Sequence, residues 1–265
     1  MSPARKRAAS PRRVSVPARD PAARGVPLTV PLYKDIKRQM MEALTGGEWK
    51  PAEAIPAERR LSERYGVSIG TVRKSIDELV AERILIRQQG RGTFVASHTR
   101  DRLLFYFFHV VPESGPKSYP EVQFLSFARA RADRVAAEKL AIPIGEPVFR
   151  IRNRLRLGGT PIMVDDITLS VARFSGLTEA QFRARSSTIY NLYQEAFSIS
   201  VVRTSERLRA TLADADAVAL LDVARGAPLL QIRRVAHTYN EVPVEYRVSL
   251  VNTTHHEYWA EIGRQ

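Results

Sequence analysis

The chain has 265 residues, 44% of them apolar and 8% aromatic, enough to bury the cores of two modest domains. A formal net charge of +13 favours polyanionic partners, nucleic acid or anionic lipid. The absence of cysteine excludes disulfides and thiolate metal sites, and no apolar run approaches the roughly 18 residues of a membrane helix.

Residues 1–27 are rich in Ala, Pro, Ser and Arg and nearly devoid of large apolar side chains. They cannot offset the entropy of ordering, so a disordered basic tail is expected there. The tail is basic but lacks the apolar core of a secretory signal, which with the missing cysteines points to the cytoplasm. From Pro31 the pattern turns helical. Tyr33, Ile36, Met40 and Leu44 recur at helical spacing, and Gly46-Gly47 supplies a stop. Pro56 opens a second helix, with Leu61 and Tyr65 facing inward and Gly66 at its end. Ser68 is a good N-cap for a third helix whose apolar stripe runs Val72, Ile76, Leu79 and Val80. Two short strands, 84–87 and 93–95, then flank Gln88-Gln89-Gly90-Arg91-Gly92, where two glycines permit a hairpin turn.

After a basic junction at His98–Arg102 the apolar period changes to two. Strands are predicted over 103–111, 122–129, 148–157, 161–169, 198–211, 229–238 and 242–251. Helices are predicted near 132–140, 187–197 and 214–223, with turns at Gly158-Gly159 and Asn240-Glu241. A short repeat relates Gly145-Glu146-Pro147 with Ile151-Arg152 to Gly226-Ala227-Pro228 with Ile232-Arg233, at an offset of 81 residues. Two copies of helix, strand, hairpin and strand imply one mostly antiparallel sheet with helices on one side, an α+β domain.

The third helix carries the most chemistry. With Val72 at the centre of its buried face, Gly70 and Lys74 point away from the core, flanked by Thr71 and Arg73. Gly70 allows close approach to a base pair, Thr71 can meet a phosphate or a thymine methyl, and Arg73 and Lys74 can pair with phosphates or guanine. Asp77 and Glu78 follow one to two turns later, so the helix must enter a groove N-terminus first. Taken alone, the pattern also suits a three-helix bundle with a charged solvated face, in about one case in three. Arg59 at the start of the second helix, Arg91 in the hairpin, and the order of helices followed by a wing favour a winged helix-turn-helix.

Residues 31–96 resemble the DNA-binding domain of the GntR family of bacterial transcription regulators. The matching motifs are P-A-E-R-x-L-S at Pro56–Ser62, V-S-x-x-T-V-R at Val67–Arg73 and Q-G-R-G-T-F-V at Gln89–Val95. The resemblance implies DNA contacts from Arg59, Ser68, Thr71, Arg73, Gln89 and Gly90, beside Gly70, Lys74 and Arg91 from the helix and wing geometry. Two departures stand out: Ile69-Gly70 occupies a position where members often carry a base-reading Arg, and Ala57 stands where Ser often caps the second helix.

Residues 100–265 resemble the UTRA ligand-sensing domain of the HutC branch, whose fold is similar to chorismate lyase. The matching segments are R-L-R-L-G-G-T-P at Arg154–Pro161, S-S-T-I-Y-N-L-Y at Ser186–Tyr193 and P-V-E-Y at Pro243–Tyr246. Arg150, Arg152, Arg154 and Arg156 alternate along one strand and must share a face of the sheet, which either lies in solvent or converges on an anion. The resemblance implies the second for Arg154 and Arg156, with Asp166, Thr188, Tyr190 and Glu245 completing an effector site. Asp166, Thr188 and Glu245 could each equally make a structural hydrogen bond or salt bridge. Val251 stands where relatives often have Tyr, so a small acidic or zwitterionic effector fits at least as well as a phosphorylated one.

The expected architecture is therefore a tail at 1–27, a winged helix-turn-helix at 28–98 and a UTRA-like domain at 99–265. The expected function is a cytoplasmic, nucleoid-associated, ligand-responsive repressor that binds a two-fold-symmetric double-stranded operator as a homodimer. No cofactor, metal site or membrane contact is expected, since His255-His256 are adjacent on a strand and point opposite ways. Two rival readings are a lyase-like enzyme with a DNA-binding appendage and a non-specific nucleoid protein driven by the tail.

Overall fold

The computed structural model describes residues 31–98, 106–185 and 187–260. The expected tail at 1–27 and the start of the expected strand at 103–111 lie outside these residues. The first three helices are α1 (Leu32–Thr45), α2 (Glu58–Tyr65) and α3 (Ile69–Ala81), followed by a hairpin of β1 (Leu85–Gln88) and β2 (Gly92–Val95). Ile36, Met40 and Leu44 of α1 meet Leu61 of α2 and Val72, Ile76 and Leu79 of α3 in one core, sealed by Trp49, Ile55 and Val95. The α2–α3 turn closes through Gly66, left-handed at φ 63°, and a 2.6 Å bond from Ser62 Oγ to the Val67 carbonyl. Ser68 caps α3, its hydroxyl accepting from Thr71 N–H at 3.1 Å, whereas Ala57 gives α2 no side-chain cap.

The second half is built on a six-stranded antiparallel sheet. Its strands are β4 (Glu121–Arg131), β5 (Pro147–Leu157), β6 (Thr160–Ser170), β7 (Arg203–Leu212), β8 (Pro228–His237) and β9 (Pro243–Asn252). A separate pair joins β3 (Val110–Pro112) to β10 (His256–Tyr258). Four helices accompany the sheet: α4 (Arg134–Leu140), α5 (Glu179–Arg183), α6 (Ile189–Phe197) and α7 (Ala215–Leu221). The spatial order β4-β5-β6-β9-β8-β7 is two strand–helix–hairpin units meeting at β6 and β9. The short sequence repeat marks these two units. Asp133 and Asp214 cap α4 and α7 identically, and Ala141 and Asp222 end them in the left-handed region.

Helices lie on both sides of this sheet, not on one. On one face α4 covers Val148, and α7 covers Val164 and Leu229. On the other, α5 and α6 bring Phe182, Tyr190 and Tyr193 onto Phe149, Ile151 and Ile167. A period of two tells which residues share a face but not which helix each face receives. Three further expectations are corrected. Among the described residues of 103–111, only Val110 and Val111 are in a strand, and Phe107 and Phe108 are buried in the cores on the α5/α6 face of the sheet. The strand expected from 198 starts at Arg203, since Ser198 ends α6 with φ 56°. Helix α5 was not foreseen, though Thr178 and Gln181 form a reciprocal capping box at its start.

The two halves are stitched by the chain that joins them. Gln194 of α6 donates to the Ala96 carbonyl at 3.3 Å and accepts from His98 N–H at 2.9 Å. His98, itself buried, accepts from Val201 N–H at 3.0 Å. Tyr239, in the turn between β8 and β9, joins the core of the three-helix half.

Candidate functional site

At the N-terminal end of α3, Ser68, Ile69 and Gly70 are exposed side by side. A Cβ built on Gly70 would meet only Ser68 Oγ at 3.7 Å, so packing does not require glycine; its smallness leaves open surface. Thr71 Oγ1 lies 2.9 Å from Ser68 Oγ. Arg73 is exposed but engaged, its Nε and Nη2 bonding Glu58 Oε2 at 3.0 and 2.8 Å. Arg87 of β1 links Asp77, at 2.6 Å, to the same Glu58, at 3.7 Å. Lys74 leans back over the Tyr33 ring, 4.1 Å from its centroid, so it does not extend freely outward as helical geometry alone suggests. Arg59 pairs with Glu63 one turn along α2 and remains largely in solvent. At the hairpin tip Gln89, Gly90 and Arg91 are exposed, with Gly90 at φ 72° and Arg91 5.7 Å over Phe94.

The two acids of α3 are neutralised by partners. Asp77 is held by Arg87; Glu78 pairs with Lys37 of α1 at 2.9 Å, and that hydrogen bond holds its carboxyl below the usual range. Ser68, Gly70 and Arg73 are thus exposed on α3 beside a half-buried Thr71, the wing tip is exposed as well, and the acidic end of the helix is tied down.

In the second half the expected effector residues divide between the two faces of the sheet. Arg154 reaches Gln123 at 2.7 and 3.0 Å and the Leu220 carbonyl of α7 at 3.4 Å. Arg156 donates to the Gly159 carbonyl at 2.8 Å. Asp166 accepts from Arg152 at 2.7 and 3.1 Å, and Arg152 also meets Asp216 of α7. All three therefore lie on the α4/α7 side. Thr188, Tyr190 and Glu245 lie on the α5/α6 side, where a cavity of about 540 Å³ opens. The expectation that all six converge on one ligand is corrected: β5 alternates, and its even-numbered arginines point away from this cavity.

The cavity floor is a band of polar residues crossing the sheet. One cross-strand row reads Ile151, Ile167, Arg247, Arg234, Glu206; the next reads Asn153, Asp165, Ser249, Ile232, Leu208. Arg247 donates to Asp165 at 3.0 Å and grips both oxygens of Glu245 at 2.9 and 3.0 Å. Ser249 Oγ bonds the other oxygen of Asp165 at 2.5 Å. Tyr193 and Tyr190 donate to Glu245 from above at 2.7 and 3.3 Å. Burial, reinforced by the Glu245 charge, pushes the Tyr190 hydroxyl up to about 12, so it stays a donor at any working pH. Arg234 bonds Glu206 and the Phe107 carbonyl.

Thr188 is the N-cap of α6, its hydroxyl accepting from Asn191 N–H at 3.0 Å at the cavity edge. Two polar groups in the cavity lack such partners. Arg185, mostly buried, bonds only the Phe182 carbonyl and stacks on the Phe182 ring, and burial lowers its pKa. Asn153, 3% exposed, has a buried Oδ1 with no hydrogen-bond partner. The residues that the motifs did not signal are thus Asn153, Asp165, Arg185, Arg234 and Arg247. A signal existed for Asp165: it alternates with Met163 and Ile167, so its parity placed a carboxylate among buried apolar neighbours.

A winged helix-turn-helix joined to an antiparallel sheet with a polar, helix-lidded cavity defines a class: a DNA-binding regulator with a ligand-sensing domain. Family comparison agrees. Residues 32–95 match the model of bacterial regulatory proteins of the gntR family, and residues 117–257 match the UTRA domain. A fructoselysine utilization operon transcriptional repressor from Escherichia coli K12 is 30% identical over 222 residues, 80% of this chain and 87% of that protein. The histidine utilization repressor of Pseudomonas putida is 27% identical, covering 77% of this chain and 81% of that one. Among solved structures, the ligand-binding domain of a GntR-family regulator from Bordetella bronchiseptica is 33% identical with a TM-score of 0.57, covering 60% of this chain and 99% of that one. The Bacillus subtilis protein YydK, 16% identical with a TM-score of 0.52 over 88% of this chain and all of that one, shares the fold. The chain belongs to the GntR family of bacterial transcription regulators, of the HutC type, with a UTRA domain.

Proposed function

We propose that this regulator is a repressor whose operator affinity is set by a small molecule held between α6 and the sheet. The carrying observation is that α6 touches both ends of the device. Its N-terminus, at Thr188 and Ile189, edges the cavity, and Gln194 on its C-terminal half bonds the backbone of Ala96 and His98, where the winged half ends. A ligand that shifts this helix must load the linker. The division at 28–98 and 99–265 places that linker at the boundary.

Ser68, Gly70, Thr71, Arg73 and the wing residues Gln89, Gly90 and Arg91 are the proposed DNA contacts, with Arg59 and Lys74 flanking them. Thr188, Tyr190 and Glu245 belong to the effector side, joined there by Asn153, Asp165, Arg185 and Arg247 in place of Arg154, Arg156 and Asp166. A homodimer on a two-fold-symmetric operator, working in the cytoplasm, completes the proposal; symmetric half-sites need two recognition helices. No helix among the described residues is long and apolar enough to cross a membrane.

A binding role is favoured over a lyase-like one by the state of the buried carboxylate in the cavity lining. Asp165 is locked by Arg247 and Ser249 and is not poised as a general base. The test is a gel-shift titration of the full chain on operator DNA selected from random duplexes, with and without compounds that raise its Tm. Ligand-dependent release without turnover is the expected result. Consumption of the ligand, or equal affinity for any duplex, would overturn it.

A further inference from the structure

Among the described residues the buried ionic groups around the cavity are three carboxylates, Asp165, Glu245 and Glu206, and three guanidiniums, Arg247, Arg234 and Arg185, and an exposed Glu121 also lines it. Arg247 is offset by Asp165 and Glu245, and Arg234 by Glu206, all deeply buried. Arg183 stands at the rim, exposed, 3.9 Å over the Phe124 ring and paired with Glu179. Arg185 alone is a largely buried cation that no carboxylate among the described residues neutralises. A buried unpaired charge costs stability unless something brings the opposite charge to it. It sits just ahead of α6, a nine-residue helix whose Thr188 cap satisfies Asn191 N–H and whose first residues, Thr188 and Ile189, line the same cavity. Arg185 and the start of α6 together make a place for an anionic group.

A second unmatched group faces this from the sheet. The Asn153 side chain is 97% buried by its 3% exposure, lines the cavity, and its Oδ1 accepts nothing. Its cross-strand neighbour is Asp165. An orphaned acceptor beside a carboxylate is a place for an N–H or O–H donor. Phe107, Phe108, Tyr119 and Phe124 supply flat apolar wall between the two polar ends. A volume of about 540 Å³ lies within the range of small-molecule sites.

We propose that the cavity takes a small monoanionic carboxylate that also carries an amino or hydroxyl donor, an amino acid or hydroxy acid, in preference to a phosphorylated sugar. The carboxylate pairs with Arg185 at the start of α6, and the donor group meets Asn153 and Asp165 on the sheet. A zwitterion leaves the balance of these buried charges unchanged, a hydroxy acid adds one negative charge, and a phosphate dianion adds two. This inference rests on the reading of the cavity as the effector site.

The test is a thermal-shift titration of the full chain with two sets of probes. One holds the common L-amino acids, lactate, malate and the des-amino counterparts of each responding amino acid; the other holds glucose 6-phosphate, glucosamine 6-phosphate and inorganic phosphate. At least one amino or hydroxy carboxylate should raise Tm, and its counterpart without the donor should bind at least tenfold more weakly. Arg185→Gln should abolish the response, and Asn153→Leu should erase the preference for the donor-bearing compound. Stabilisation by the phosphates alone overturns the carboxylate assignment and leaves the sensor reading standing, which effector-driven operator release judges separately. Silence from every probe overturns the proposal. A probe-free arm guards against misfolded variants: ligand-free Arg185→Met should melt about 2–5 °C above the parent, since a buried uncompensated charge is removed. A lower Tm would make Arg185 a structural group and sink the assignment.

Discussion

Glu58 shows how much a single side chain decides on the groove-reading face. It lies within reach of two arginines, Arg73 of α3 and Arg87 of β1, and so holds α2, α3 and the hairpin in one ion-pair chain that ends at Asp77. Arg73 is exposed, so the pair contributes little to stability. Its value is positional, because a guanidinium fixed at Nε and Nη2 presents Nη1 outward. Arg73→Ala should therefore weaken operator binding by roughly 1–3 kcal/mol, about 5–150-fold, with the fold and melting temperature nearly unchanged. Gel-shift titration reads this; unaltered affinity would remove Arg73 from the interface. A second residue-scale expectation concerns Glu206. Burial alone would raise its carboxyl, but the Arg234 charge and hydrogen bonds from Tyr258 and Arg234 outweigh that and hold it below the ordinary value. A depressed carboxylate stabilises the fold above its unfolded pKa, and the contribution is lost as pH falls through the folded one. Glu206→Gln should thus lower the unfolding free energy at neutral pH, because it strands the buried Arg234, by an amount on the order of 3–5 kcal/mol. The deficit should shrink in acid, where the parent carboxylate is itself protonated; a pH-independent deficit in calorimetry would count against the ion pair.

At the scale of elements, α2 is the weakest helix of the winged half. It has eight residues, one fully buried side chain, and an N-cap position filled by Ala57 in an extended conformation suited to capping, φ −56° and ψ 148°. Ala57→Ser should supply the missing acceptor and stabilise by about 0.5–2 kcal/mol, a rise of a few degrees in Tm. No rise in a thermal melt would mean that the α2 N–H groups already find adequate partners in water. Elements of this kind were largely legible from residues alone. Ser68, Gly66 and the Val72–Ile76–Leu79 stripe are local signals, and local signals fix caps, turns and helical faces. Face assignment was not legible, because it is decided by what packs from elsewhere. The four arginines of β5 share a side, as alternation requires, yet that side receives α4 and α7, while the cavity opens on the other. Of the residues expected at the effector site, Thr188, Tyr190 and Glu245 lie on the cavity side and sit on or against α6, whose motif is compact. Arg185, Arg234 and Arg247 come from three separate segments and meet only in the folded sheet.

For the whole molecule the decisive joint is Gln194. Its amide is fully used: Oε1 accepts from His98 N–H, and Nε2 donates to the Ala96 carbonyl and to Ser200 Oγ at 2.9 Å. One side chain of α6 therefore holds the last backbone groups of the winged half, one turn beyond Tyr190. Tyr190 in turn packs edge-on against His98, with ring centroids 5.8 Å apart and planes at 64°, and bonds Glu245 on the cavity floor. Nothing else in α6 reaches Ala96 by a side-chain hydrogen bond among the described residues. If a ligand at the start of the helix is to change operator affinity, the coupling of about 1–3 kcal/mol must cross this contact or the Tyr190–His98 packing beside it. Gln194→Leu should leave ligand-induced stabilisation intact yet cut ligand-driven release of the operator from the 5–150-fold range to within about threefold. Because Leu strands the Ala96 carbonyl and His98 N–H, at about 1–3 kcal/mol for each, a second variant separates coupling from damage. Gln194→Glu keeps the acceptor for His98 but sets a carboxylate against the Ala96 carbonyl. It should fold, bind ligand, and lose release in part. Full ligand-dependent release in both variants, measured on the same operator at one salt concentration, would place the coupling elsewhere in the molecule.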